Sequence, residues 1–324
     1  MRRRALLGLA AAAGLAPLPA GWAAQRRPAG PHGRLDVPPP LRPGSRIVAV
    51  APGTWWENPA DELQLLHQRC QAEGWLLEVP RATTGRWRWF SGTDADRRRE
   101  LDRAWADPAV GAVFCVAGGW GSARILEMGW HPGARPLWLV GFSDTSALLL
   151  AQLAAGTGGA VHASTGGDPL QWQRLVRLLR REPLDPLQGQ GWVGGAASGP
   201  LVVTNLTVAT ALIGTPWFPS LAGCVLVLED VGEAPYRVDR MLTQWRTAGV
   251  LRGVAAVGVG RFSWQQDDIL PGDFSLEEVL RERLGSLGVP LVGRLPVGHG
   301  RPNLALPLGV PARLDGDSGV LTLL

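Results

Sequence analysis

Lysine is absent from this chain of 324 residues, so all 32 positions counted as lysine plus arginine are arginines. The formal net charge is only +4, and no stripe of basic residues is interleaved with aromatic ones. Nucleic-acid binding depends on a basic surface of that kind, so we do not expect it here. The missing lysine by itself indicates no function.

Cysteine is also scarce, with Cys70, Cys115 and Cys224 the only three in the chain. Three cysteines do not form the even-numbered framework of a disulfide-rich protein. Cys115 and Cys224 lie in apolar runs typical of strands, and Cys70 lies in a helical pattern. We therefore expect three buried free thiols. No histidine close to them in sequence supports a catalytic cysteine.

Motifs for metals and phosphates are missing as well. The chain has no His-Glu-x-x-His and no pair of cysteines or histidines at ligand spacing. The segment 118–122 lacks the lysine of a P-loop, and no Gly-x-Gly-x-x-Gly opens a helix. We therefore expect no metal and no cofactor, and an activity that chelators do not affect.

The N-terminus has the pattern of an export signal. Arg2, Arg3 and Arg4 precede the apolar run 5–15, and small residues at 21–24 resemble a cleavage site. This pattern predicts a signal peptide over 1–24 and a periplasmic location, with the twin-arginine route as one means of export. The alternatives to an exported, cleaved leader are a non-cleaved anchor and retention in the cytoplasm. No other stretch is long enough to cross a membrane.

The rest of the chain divides into two regions. Residues 25–44 are rich in proline and glycine and predict a flexible lead-in. Apolar strand-like runs alternate with helical patterns over 45–165, which predicts an α/β, Rossmann-like domain with a parallel sheet. In 166–199 the alternation degrades, and one helical pattern at 171–181 is followed by Gly- and Pro-rich sequence, which together predict a linker. Residues 200–324 predict a smaller C-terminal α/β domain.

The strongest local signal is the tetrapeptide Gly141-Phe142-Ser143-Asp144, which separates an apolar run from a helical pattern. A strand, a tight turn with serine and a helix form the nucleophile elbow of serine hydrolases. The N–H of Asp144 and one of Gly118 or Gly119 would then form an oxyanion hole. The alternatives are a plain helix N-cap for Ser143 and a simple turn for the two glycines.

Candidates for the orienting acid and the base lie downstream. Glu229 ends an apolar run, and His299 lies between two glycines after another, so the order Ser, Glu, His matches that of α/β-hydrolases. Structural ion pairing with Arg237 or Arg240 is the alternative role for Glu229. The sequence leaves rivals open, and these are Asp230 and Glu233 for the acid and His162 for the base. For His162 we favour a pocket-lining or supporting role.

From residue 44 to the C-terminus, six short blocks in a fixed order make the chain resemble the LD-carboxypeptidase family of serine peptidases. The blocks are Ser91-Gly92-Thr93-Asp94, Asp107-Pro108-Ala109-Val110, Gly118-Gly119-Trp120-Gly121-Ser122, Gly141-Phe142-Ser143-Asp144, Leu228-Glu229-Asp230-Val231-Gly232-Glu233 and Pro296-Val297-Gly298-His299-Gly300.

The resemblance implies a Ser–His–Glu triad on Ser143, His299 and Glu229, placed between two domains, and a homodimer. It implies hydrolysis of an L,D amide, with release of terminal D-Ala from murein tetrapeptides as the expected reaction. An amidase for a peptide-conjugate antibiotic is the alternative enzyme. A periplasmic binding protein without catalytic activity is the alternative from another class.

The chain departs from the family pattern beside the glycine pair. Ala117 and Trp120 stand where the family commonly has arginine and tyrosine, and Ala163 and Ser164 replace Gly-Pro after His162. Because arginine binds carboxylates bidentately, its loss predicts a weaker grip on a substrate carboxylate and tolerance of other D-residues. Four tryptophans in expected loops would stack on a sugar or serve ordinary packing, and these are Trp55, Trp56, Trp87 and Trp89.

Overall fold

The computed structural model describes residues 35–57, 59–264 and 272–324. The predicted signal peptide therefore lies outside the described residues. The first half alternates strands and helices as expected. Its elements are β1 (Arg46–Val50), α1 (Pro59–Ala72), β2 (Leu76–Glu78), α2 (Asp94–Ala106), β3 (Val110–Cys115), α3 (Ser122–Glu127), β4 (Trp138–Gly141), α4 (Ser146–Ala154), β5 (Ala160–His162) and α5 (Pro169–Leu179).

The second half contains more strands than the sequence indicates. Its elements are β6 (Leu187–Gln188), β7 (Gln190–Val193), β8 (Ala196–Asn205), α6 (Leu206–Leu212), β9 (Val225–Val231), α7 (Pro235–Thr247), β10 (Ala256–Ser263), α8 (Leu276–Gly285), β11 (Leu291–Gly293), β12 (Leu306–Pro307), β13 (Pro311–Asp315) and β14 (Val320–Leu323).

Six strands form the first sheet, in the order β12-β5-β4-β3-β1-β2. All neighbours pair in parallel except β12, which returns from the end of the chain and pairs antiparallel with β5. The central strands are almost fully buried because helices cover both faces, as their continuous apolar runs require. The predicted α/β fold with an N-terminal parallel sheet is confirmed.

The second sheet has eight strands, in the order β6-β14-β13-β8-β9-β10-β11-β7. Its centre, from β8 to β11, is parallel, and antiparallel strands complete both sides. The second α/β region is therefore present as expected, and its sheet has eight strands where the first has six. The short strands at its edges were not predicted from the sequence, because a run of two to five residues shows no clear periodicity.

Two segments expected to be irregular are packed. Within the predicted linker, α5 confirms the helical pattern at 171–181 and is capped by Asp168, whereas the Gly- and Pro-rich part forms β6, β7 and the start of β8 in the second sheet. In the predicted lead-in, Leu41 is buried and its N–H donates to the carbonyl of Leu179, while the indole of Trp138 donates to the carbonyl of Pro39. Residues 35–44 are thus fixed by main-chain contacts that composition does not reveal.

The three cysteines are free and buried. Burial raises the pKa of Cys70 to about 12 and that of Cys224 to about 11, and it raises the pKa of Cys115 further. All three therefore remain thiols rather than nucleophilic thiolates at neutral pH. Within the described ranges, every helix is too short or too polar to span a bilayer.

Candidate active site

Ser143 lies on a sharp turn between β4 and α4. Its φ angle is +60°, which is rare for a residue with a side chain. A single 3-10 turn over Ser143–Thr145 continues into α4, and the Thr145 hydroxyl donates to the carbonyl of Phe142 at 2.8 Å. This is the strained strand–turn–helix geometry that projects a serine hydroxyl out of an α/β sheet.

The structure brings Ser143, His299 and Glu229 together from both sheets. The Nε2 atom of His299 lies 3.0 Å from the Oγ atom of Ser143, and its Nδ1 atom lies 2.7 Å from Oε2 of Glu229. The backbone N–H of His299 donates to the same carboxylate oxygen at 3.2 Å. One hydrogen-bonded chain therefore links a hydroxyl, an imidazole and a carboxylate that are up to 156 positions apart in sequence.

The loop that carries His299 is fixed against Glu229. Gly298 has a φ of +102°, and a Cβ atom at this position would lie 2.6 Å from the Cβ atom of Glu229. The N–H of Gly298 donates at 2.8 Å to the side chain of Asn303, which is buried. Only glycine fits this close approach. Asn303 was not identified from sequence, although it follows the His-Gly pair by three residues.

Glu229 is fully buried at the end of β9. Burial on its own would raise the pKa of the Glu229 carboxyl, but the hydrogen bond from His299 lowers it, and the net pKa lies below its usual value. The carboxylate is therefore charged at neutral pH. A charged carboxylate on Nδ1 keeps that nitrogen protonated and leaves Nε2 free to accept a proton.

His162, the rival base, is completely buried on β5 and does not line the cavity. Its ring packs edge-on against Phe142 at 5.9 Å, and Phe142 lies 4.9 Å from the ring of His299. Burial lowers the pKa of His162 to about 4, so this imidazole is neutral at physiological pH. Of the two expected roles, the structure favours support over pocket lining.

Asp230 and Glu233, the other two candidates for the acid, interact with residues other than His299. Asp230 accepts hydrogen bonds from the side chains of Asn205 and Thr207. Glu233 pairs with Arg237 at 3.6 Å, so this arginine does not pair with Glu229. Only Glu229 among the three carboxylates contacts an imidazole in the described residues.

The predicted oxyanion-hole residues also lie beside Ser143. A Cβ atom built on Gly118 would be 3.5 Å from Oγ of Ser143, so the backbone of Gly118 faces the hydroxyl. The N–H groups of Gly118 and Gly119 have no acceptor within the part of the chain that the structure describes. These two N–H groups are therefore free to donate to a substrate oxygen, and Gly118 is the one of the two residues that lies against Ser143.

Asp144 has a second role that the sequence did not indicate. Its buried carboxylate accepts hydrogen bonds from the N–H groups of Gly121 and Ser122 and from the Ser122 hydroxyl, at 2.6 to 3.1 Å. These bonds tie the nucleophile turn to the glycine loop at the start of α3. Burial raises the pKa of Asp144, and the bonds from Ser122 partly offset the rise.

A cavity of about 430 Å³ adjoins the site through Gly118, Phe142 and Gly298. Ala117, at the position that departs from the family pattern, lines it. Arg301 lines it too, and the guanidinium of Arg301 has no hydrogen-bond or ion-pair partner among the described residues. Two acidic side chains, Glu62 and Asp168, complete its charged lining. Neither Arg301 nor these acids were identified from sequence. No cluster of metal-ligating side chains occurs within the described ranges.

Two family models match the chain over most of its described length. The LD-carboxypeptidase N-terminal domain matches residues 46–163, and the LD-carboxypeptidase C-terminal domain matches residues 198–314. These matches contain Ser143 in the first domain and Glu229 and His299 in the second.

Individual relatives agree with these matches. A protein of Synechocystis sp. that is named as a carboxypeptidase is 42% identical over 89% of this chain and 97% of its own length. The murein tetrapeptide carboxypeptidase of Pseudomonas aeruginosa is 32% identical over 84% of this chain and 94% of its own length.

Solved structures show the same architecture. A muramoyltetrapeptide carboxypeptidase from Oxalobacter formigenes is 27% identical, with a TM-score of 0.69 over 86% of this chain and 97% of that one. The microcin C7 self-immunity protein shares the fold, with a TM-score of 0.74 and 20% identity over 89% of this chain and 98% of that one. The two domain models and the 42% and 32% identities together show that this chain belongs to the LD-carboxypeptidase family of peptidases.

Proposed function

We propose that this protein is a serine-type LD-carboxypeptidase that uses Ser143, His299 and Glu229 as a catalytic triad. The observation that carries the proposal is the hydrogen-bonded chain from Oγ of Ser143 through His299 to Glu229, at 3.0 and 2.7 Å. Both distances are within hydrogen-bond reach, which the transfer of the Ser143 proton to His299 and the orientation of His299 by Glu229 require. The elbow geometry at Ser143 supports the same assignment.

In the proposed reaction, neutral His299 accepts the proton of Ser143 at Nε2 while Oγ bonds to the scissile carbonyl carbon. The N–H groups of Gly118 or Gly119 and of Asp144 stabilise the negative oxygen that forms. The C–N bond then breaks, and His299 gives its proton to the leaving amine. Water, activated by His299, hydrolyses the acyl ester and frees Ser143.

The proposed substrate is a murein tetrapeptide, from which the enzyme releases terminal D-Ala across an L,D amide. The names of the relatives from Pseudomonas aeruginosa and Oxalobacter formigenes support this substrate class. The product amino acid carries a carboxylate, and Arg301 offers a guanidinium in the cavity where Ala117 offers none. We propose that Arg301 binds that carboxylate.

The test is incubation of the purified chain with a murein tetrapeptide, with the products read by mass spectrometry. D-Ala and tripeptide are expected, EDTA should not change the rate, and a fluorophosphonate probe should label Ser143. Absence of labelling together with absence of hydrolysis would favour a binding protein over an enzyme. Cleavage of a peptide–nucleotide conjugate but not of the tetrapeptide would favour the antibiotic amidase instead.

We further propose that residues 1–24 direct export and that the mature protein is a homodimer. Export would place the enzyme in the periplasm, in contact with murein itself. Cell fractionation with N-terminal sequencing of the product, expected to begin near Ala24 or Gln25, tests the first proposal. Sedimentation of the purified protein tests the second. Full-length protein in the cytoplasm or a monomer at micromolar concentration would contradict them.

A further inference from the structure

Three exposed tryptophans form an aromatic platform next to the active site. Trp87, Trp89 and Trp120 expose 41%, 55% and 50% of their surface, although tryptophan is usually well buried. All three contact the buried ring of Phe90, at centroid distances of 6.2, 5.8 and 5.6 Å. They therefore form one surface, which we call the tryptophan platform.

The platform has a rigid base. Trp87 and Phe90 exchange two backbone hydrogen bonds, at 2.8 and 2.9 Å. The buried guanidinium of Arg97 lies 4.4 Å from the ring of Phe90, and it is held by the carbonyls of Pro52 and Gly121. Because the base is fixed, the exposed indoles lose little freedom when a ligand stacks on them.

The platform is continuous with the site of the proposed reaction. The N–H of Trp120 donates at 3.0 Å to the hydroxyl of Thr54, which packs against Gly119, and Gly118 faces Ser143. Since consecutive Cα atoms are 3.8 Å apart, the Cα atom of Trp120 lies at most about 13 Å from Oγ of Ser143. Three extended residues span roughly 10 Å. The acyl part of a bound tetrapeptide is the three residues before the scissile bond, so a group attached to the N-terminus of the peptide can reach the platform.

The chemistry of the platform fits a sugar ring. Flat indoles offer an apolar surface with one N–H donor each, which suits a pyranose that has a C–H face and polar edges. Arg88 lies over Trp87 at 5.6 Å, and Arg86 lies over Trp55 at 4.1 Å, so guanidinium donors stand beside the indoles. In murein, the peptide is joined at its N-terminal end to a glycan.

We propose that the tryptophan platform binds the glycan of a glycan-linked muropeptide while the peptide occupies the active site. The inference rests on the proposed murein-peptide substrate. It states that the enzyme prefers peptides that are still attached to sugar over free tetrapeptides. Trp89 and Trp120 are then specificity determinants that do not take part in bond breaking.

The experiment compares D-Ala release from a disaccharide-tetrapeptide and from the sugar-free tetrapeptide. Wild type should show a lower KM for the disaccharide-tetrapeptide. Trp89→Ala and Trp120→Ala should each reduce kcat/KM for it by about three- to tenfold, with less than about a twofold change for the free peptide. Trp89→Phe should recover most of the loss. Leu76→Ala, which removes an equally exposed apolar side chain from an edge strand, is the control and should change neither rate.

A binding measurement separates failure of the platform from failure of the proposed function. In calorimetry, Ser143→Ala should bind the disaccharide-tetrapeptide, and the double variant Ser143→Ala with Trp89→Ala should bind it more weakly. This comparison does not depend on hydrolysis. Equal loss on both substrates, or no loss on either, would overturn the glycan proposal. Dissociation of a dimer in Trp89→Ala and Trp120→Ala would also overturn it, since the platform would then be a contact between two copies of this chain.

Discussion

The two sheets contribute to the active site by different means. The first sheet positions Ser143 through its backbone, with a φ of +60° and glycines packed against the turn. The second positions His299 through side chains, with a buried carboxylate at 2.7 Å and a buried asparagine beneath the loop. The Ser143 turn should therefore be sensitive to added side-chain atoms, and the His299–Glu229 pair should be sensitive to loss of charge. Five predictions test this contrast, from the largest effect to the smallest.

Removing the hydroxyl of Ser143 should abolish activity and preserve the fold. Ser143→Ala should lower kcat/KM by about 10³-fold or more, because it removes the hydroxyl that contacts His299 and would form the acyl ester. The melting temperature should stay within a few degrees of wild type. Ser164→Ala is the matched control, since Ser164 lines the cavity that adjoins the site and makes no hydrogen bond to His299 among the described residues. More than a tenth of wild-type activity in Ser143→Ala would exclude this serine as nucleophile.

Removing the charge of Glu229 should lower activity somewhat less than removing the Ser143 hydroxyl. Glu229→Gln keeps the shape but no longer favours the imidazole tautomer with a free Nε2, so kcat should fall by about 10²- to 10³-fold. Glu233→Gln, four residues along and paired with Arg237, is the control and should retain wild-type kcat. The reverse ranking of the two variants would move the orienting role to Glu233.

Adding one carbon atom to the glycine loop beside Ser143 should reduce activity. Gly119 has a φ of +82°, and a Cβ atom there would overlap the side chain of Thr54. We expect Gly119→Ala to reduce kcat by about 10- to 100-fold, because the adjacent oxyanion donors shift. Gly129 has a φ of +78° and no atom within 4 Å of its Cβ position, so Gly129→Ala shares the backbone cost alone. It should lose about 1 kcal/mol of stability and no activity. Equal kcat in Gly119→Ala and Gly129→Ala would show that the position of Gly119 next to the active site has no effect on catalysis.

Arg301 tests whether the cavity contributes charge of its own. Arg301→Gln should raise KM for D-Ala peptides about tenfold with kcat nearly unchanged, since it removes a charged hydrogen-bond donor to a substrate carboxylate. A peptide amide substrate, which lacks that carboxylate, is the control and should respond little. If Arg301→Gln changes kcat instead of KM, Arg301 does not act through substrate binding.

The smallest effect on activity should come from His162, which supports both sides of the site. Its folded pKa of about 4 lies below the usual 6.5, because burial disfavours the charged ring. The unfolded chain therefore takes up a proton first as the pH falls, so stability is full above pH 6.5 and declines between 6.5 and 4. The loss amounts to about 3 kcal/mol.

His162→Phe cannot take up that proton, so its stability should decline less over this range in denaturant titrations. The nearest other titratable groups, Glu229 and His299, remain in both proteins. Activity at pH 7.5 should fall by less than about threefold, as expected for a residue outside the proton-transfer path. An equal decline in wild type and His162→Phe would mean that another group controls the acid sensitivity.

The sequence was informative where a pattern is local. Apolar runs located β1, β3 and β4, and a serine between a strand and a helix located the nucleophile turn before any geometry was known. The pairing of His299 with Glu229 rested on the order of the motifs and on the family resemblance, since no local pattern reports a contact across 70 positions. Arg301 and Asn303 had no such pattern, because a cavity is formed by residues from several loops and becomes visible only in three dimensions.

Strand β12 makes the two halves of the chain dependent on each other. It lies downstream of His299, yet it forms the outer edge of the first sheet against β5, beside the strand that leads to Ser143. A fragment ending near residue 199 would therefore expose the unpaired edge of β5, and exposed edges promote aggregation. We therefore expect this N-terminal fragment to be less soluble than the whole chain.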